Sequence, residues 1–242
     1  MEIAYQPKWM FSVSGEPDDI EFAVYYFNEF ENDNRIRIGE NSGNTVIWSK
    51  SWEFIENIDD FYEVANGALR FINGAQRLTN NCRNIGLVNV FKRNGNGKYD
   101  LIVQATMTVA PPRSMSIPDQ EFHKILKAAS GSEHLLSALE FFGMEQNWYN
   151  IYKCIEALRD HYKGEGDNYE ALLNKGFIGK KVLKKTYETA SYHRHYLPNK
   201  TVDKPVSLNQ ARKNLRDLIE RAFEHETGVK IQRPFVPWPG LT

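Results

Sequence analysis

The sequence predicts an α+β protein: a small N-terminal antiparallel sheet with one packed helix, followed by an all-α helical bundle. Three observations predict it. Asn94-Gly95-Asn96-Gly97 lies between two β-rich runs, the pattern of a tight hairpin. Prolines at 111, 112 and 118 bracket a stretch that breaks every period. Beyond it, apolar residues recur at helical intervals as far as Phe223. The expected division is 1–112 for the α+β domain, 117–232 for the helical domain and 233–242 for a Pro-rich tail.

Composition supports a packed core, with 41% hydrophobic residues in 242. Cys82 and Cys154 have no metal-like spacing, so reduced thiols and no disulfide are expected. The first residues lack the basic start and apolar run of a leader, and no window approaches a spanning helix. A cytoplasmic protein with no membrane segment and no cofactor is expected. The net charge of −1 conceals an asymmetry. Residues 1–66 hold 14 acids and 4 bases, whereas residues 180–233 hold 13 bases and 6 acids. Either the basic end meets an anionic partner or the two halves complement each other.

In chain order, Phe22–Phe27, Arg35–Ile38 and Thr45–Trp48 read as short strands, with Glu40–Asn44 as a turn. A helix follows over about 60–79. Asp60 and Glu63 have capping-box spacing, and Phe61, Val64, Ala65, Ala68, Ile72 and Ala75 mark its buried face. Asn66-Gly67-Ala68 repeats as Asn73-Gly74-Ala75. A glycine within a helix costs about 1 kcal/mol relative to alanine, so close packing is expected to require it. The hairpin spans Ile85–Phe91 and Leu101–Met107. In the second half, Phe122, Ile125 and Leu126 begin the helices, and Gly143 reads as a carboxy-terminal cap. Trp148, Ile151, Tyr152, Ile155 and Leu158 form the clearest stripe. A short helix from Asp167 to Gly176, another carrying Val182, Leu183 and Tyr187, and a long one opened by Ser207 and Gln210 complete the list.

Phe71–Leu78 with the hairpin, Asn147–Glu156, and Thr189-Ala190, Arg194-His195 and Pro205–Ala211 together resemble a family of uncharacterised bacterial proteins over about residues 61–223. The helical half resembles HEPN domains. That resemblance implies a HEPN-like bundle in an intracellular defence or conflict protein, acting on or binding RNA, with ribonuclease activity independent of metal in the catalytic members. Others of that family only bind RNA or dimerise. Catalytic HEPN domains place histidine after arginine with four to six residues between them. Here Arg194 and His195 are adjacent and Arg221 and His225 are separated by three, so the motif itself is not carried over.

The densest chemistry is Tyr192-His193-Arg194-His195-Tyr196, read as lying between two helices. His193, Arg194 and His195 supply the chemical types of a base, an acid and a phosphate-stabilising cation, the candidate catalytic set. Tyr152, Lys153 and Arg159 on the third helix of the bundle, and Arg212, Lys213 and Arg216 on the outer face of the last, are the candidate RNA-binding residues. A His193-x-His195 metal pair lacks an evident third ligand. The competing reading is an interhelical loop in which Arg194 pairs with Glu156, in a non-catalytic module that dimerises or docks on a partner protein.

Overall fold

The computed structural model describes residues 6–29, 36–80, 84–104, 119–163, 169–195 and 202–231. It is an α+β structure with a sheet region and a helical region. Five antiparallel strands, β1 (Trp9–Ser14), β2 (Ile36–Asn41), β3 (Asn44–Ser49), β4 (Gly86–Arg93) and β5 (Tyr99–Gln104), run in the order β2-β3-β1-β4-β5. β1, absent from the sequence reading, is the central strand. Residues 9–13 are all buried, so it shows no alternation of apolar and polar positions. Its Trp9 ring stacks on Phe61, in the α-helix that follows β3, at 4.7 Å.

Both hairpins are closed by local chemistry. Asn41 pairs with Asn44 across Ser42 and Gly43, which take positive φ angles of 50° and 77°. In the β4–β5 turn the Asn94 side chain accepts from the amides of Asn96 and Lys98, and Gly97 supplies the left-handed residue.

The first helix, α1 (Pro17–Glu29), corrects the strand expected at Phe22–Phe27. Phe22, Ala23, Tyr26 and Phe27 are buried while Tyr25 is exposed, a helical spacing hidden inside a continuous aromatic run. The signals of a helix start were present: Pro17 at the first position, with Asp18 and Asp19 in the first turn. Two helices rather than one therefore accompany the sheet. The second, α2 (Ile58–Asn80), is capped one turn earlier than expected. Asn57 Oδ1 accepts from the Asp60 amide at 2.8 Å. Val64, expected on the buried face, is exposed.

The helical region comprises α3 (Asp119–Ser130), α4 (Glu133–Gly143), α5 (Trp148–His161), α6 (Tyr169–Asn174), α7 (Lys180–His195) and α8 (Leu208–Thr227). Ser207 caps α8 through the Gln210 amide, as its spacing predicts, and Gly228 ends that helix in the left-handed conformation. Gly143 has a different role from the cap expected of it. A side chain there would lie 2.3 Å from the Arg70 carbonyl oxygen, and one at Gly74 would lie 2.0 Å from that of Leu139. α2 and α4 thus meet backbone to backbone at these two glycines. One buried apolar cluster extends from the sheet through α2 into the bundle. The domain boundary expected around 113–116 and the Pro-rich tail lie outside the described residues, as do Arg35 and Cys82. No described helix is long and apolar enough to cross a membrane.

Candidate functional site

The stretch expected as an interhelical loop is helical through His195. No proline or glycine falls between Lys180 and His195, and His193, Arg194 and His195 lie in the last turn of α7 (Lys180–His195), where basic groups complement the carbonyl end of the dipole. The loop reading is thereby corrected. Tyr196 onward lies outside the described residues.

α7 packs beside α5, and their shared surface gathers the candidate residues. The Tyr152 and Tyr187 rings stack at 5.0 Å, with their hydroxyls 3.1 Å apart. Nearer the end of α7, the exposed His193 lies flat on Trp148, with centroids 4.6 Å apart and planes 11° from parallel. Arg194 sits over Tyr152 at 4.3 Å and reaches Tyr149 at 5.6 Å. His195 meets the Tyr152 ring edge to face at 5.9 Å. Each imidazole thus has a different ring of α5 as its neighbour.

The cations of this surface are largely paired. Arg194 Nη1 lies 3.3 Å from Glu156 Oε2, and Lys153 Nζ donates to the same oxygen at 2.9 Å. Burial alone would raise the Glu156 carboxyl, but hydrogen bonds from Lys153 and Tyr152 and the charges of Lys153 and Arg194 hold it below its ordinary value. The Tyr152 phenol is pushed up by burial, then by Tyr187 and Glu156 beside it. Arg159 donates twice to Asp160. Tyr152 and Lys153 therefore share a surface with residues 193–195, with the Glu156 carboxylate inside the group, whereas Arg159 is engaged by Asp160.

Arg212, Lys213 and Arg216 do not form one outer face. Arg212 donates to the Gln146 carbonyl at 2.8 Å and Arg216 to Glu220 at 2.8 Å. Both lie near Arg77, whose Nη1 donates to the carbonyls of Phe142 and Met144. Burial, then Arg216 and Arg212, push Arg77 down to about 10. These arginines tie α2 and α8 to the turn before α5. Lys213 points elsewhere, into a groove of about 770 Å³ that also holds Phe177, Val182 and Arg221.

The sequence reading assigned Trp148 to the core and did not single out Tyr149. Trp148 is only partly buried and Tyr149 is 50% exposed. The signal was available: Tyr149 falls beside the Trp148–Tyr152–Ile155 stripe, where a ring is left outside the core. Among the described residues, no group of three His, Cys, Asp or Glu side chains is placed to hold a metal ion.

The fold and this surface define an α+β protein with an aromatic and cationic seam between two helices of its bundle. In comparisons with protein-family models, curated proteins and solved structures, nothing matches the chain, so a functional reading rests on the geometry.

Proposed function

We propose that the chain binds RNA without cleaving it, and that its α5–α7 seam holds single bases on its rings and backbone phosphates on its cations. The observation that carries this reading is the His193–Trp148 stack, flanked by the exposed Tyr149 ring with Arg194 beside it. Aromatic faces next to cations suit unstacked bases, whose π surfaces are offered whatever the sequence. Lys180, Lys181, Lys184 and Lys185 extend the positive charge along α7 toward its start.

The same geometry argues against cleavage by His193, Arg194 and His195 as a set. Glu156 neutralises Arg194 and would repel a scissile phosphate brought to it. The imidazoles rest on separate rings, whereas an acid and a base for one ribose phosphate must address a common point.

The test is fluorescence anisotropy of labelled single-stranded RNA in EDTA over a salt series. Binding that weakens as salt rises is expected. Stacking is worth about 1–3 kcal/mol per base, so Tyr149→Ala should weaken affinity about fivefold or more while leaving the fold intact. Absence of binding at low salt, or full affinity in both Tyr149→Ala and Arg194→Ala, would sink the proposal. Cleavage lost in His193→Ala or His195→Ala would restore the ribonuclease reading.

A further inference from the structure

Away from that seam, three helices converge on a second constellation. Ser132 caps α4, His161 lies in the last turn of α5 and Glu226 in the last turn of α8. Ser132 Oγ is 3.0 Å from His161 Nδ1, and His161 Nε2 is 3.5 Å from Glu226 Oε1. The Tyr162 hydroxyl donates to the same Glu226 oxygen at 2.8 Å. All of these come from positions that the RNA-binding reading does not use.

The hydrogen bonds permit the arrangement of protons that such chemistry needs. The Leu135 amide donates to Ser132 Oγ at 3.3 Å, which leaves the hydroxyl proton free to point at His161 Nδ1. In the tautomer whose proton sits on Nε2, facing Glu226, Nδ1 is the acceptor. This is a hydroxyl, a base and a carboxylate that orients the base, in series. The serine side chain also lies at the amino end of α4, where first-turn amides lack partners within the helix and favour developing negative charge.

We propose that Ser132 is a nucleophile activated by His161, with Glu226 as a positioning residue, and that the chain hydrolyses carboxylic esters at this point. Ser132 Oγ bonds to the acyl carbon as its proton passes to His161 Nδ1. The carbon–oxygen bond to the alcohol breaks, and the alcohol departs with that proton. Water then attacks the acyl carbon, giving a proton to Nδ1; the acid leaves, and the proton returns to Ser132. Phe177 and His225, which line a groove of about 530 Å³, both contact the Tyr162 ring.

A small fluorophosphonate tests this directly, because its phosphorus accepts the serine oxygen as fluoride leaves and the adduct is seen by intact mass and peptide mapping. Stoichiometric labelling at Ser132 is expected. Ser132→Asn retains a side-chain cap for α4 and should abolish labelling, and His161→Gln should slow it about 100-fold or more. Glu226→Gln should slow it less and shift the pH profile of labelling. Hydrolysis of p-nitrophenyl acetate should follow the same order. No adduct, an adduct on another residue, or labelling that survives in folded Ser132→Asn would overturn the assignment and leave the trio as a tie between helices.

Discussion

The repeated Asn-Gly-Ala in α2 offers a test in which the same local sequence should give opposite results. At Gly67, an added methyl would meet nothing closer than the Arg70 side chain at 3.7 Å, which is ordinary contact. Gly67→Ala should therefore gain the helix propensity of alanine, about 0.5–1 kcal/mol. At Gly74, the methyl would lie 2.0 Å from the Leu139 carbonyl oxygen and 2.8 Å from its carbon. Ordinary contact begins near 3.4 Å, so α2 and α4 would have to separate by more than 1 Å. Overpacking costs about 1–3 kcal/mol when side chains can yield; here the obstacle is backbone, which places the cost at the upper end or beyond. Subtracting the propensity gain, Gly74→Ala should lose about 2 kcal/mol or more. Urea unfolding followed by circular dichroism measures both variants, with a change in midpoint and unchanged slope signifying stability alone. Two variants shifting in the same direction by similar amounts would refute the close crossing of α2 and α4.

The remaining predictions concern caps, charge and the buried thiol. Ser207→Ala should cost about 1 kcal/mol by uncapping α8, whereas Ser207→Asp should cost little; calorimetry of the two against wild type decides it. Glu156→Gln should lower stability by about 1 kcal/mol at pH 7 by leaving Lys153 and Arg194 without their carboxylate. Because the folded-state acid is held below its ordinary value of 4.5, that contribution is present above pH 4.5 and fades as pH falls further, so the stability curves of wild type and variant should converge in acid. Cys154 is fully buried, and burial pushes its thiol up. Its Sγ donates to the Ala138 carbonyl at 3.2 Å, so in a Cys82→Ser background DTNB should react with it only as the protein unfolds; rapid reaction of folded protein would contradict that placement.

The features legible in the order of residues alone are local. Asn94 and Gly97 close a hairpin with their own side chain and backbone, Ser207 caps its own helix, and the apolar stripe of α5 is written in its spacing. Such features need no distant partner to be recognised. Tertiary structure decided the rest. β1 lost its alternation because neighbours bury both its faces, and the aromatic run of α1 carried more bulk than period. Gly143 resembled a terminal cap until α2 was found lying against it. The chemistry followed the same division. Residues 193–195 stood out because they are consecutive, yet helix geometry and Glu156 set what each can touch. Ser132, His161 and Glu226 are 29 and 65 positions apart in the chain and share no motif, so only the packing of α4, α5 and α8 brings them together. Long-range contacts are fixed by the joint burial of many side chains, which no single stretch of sequence records.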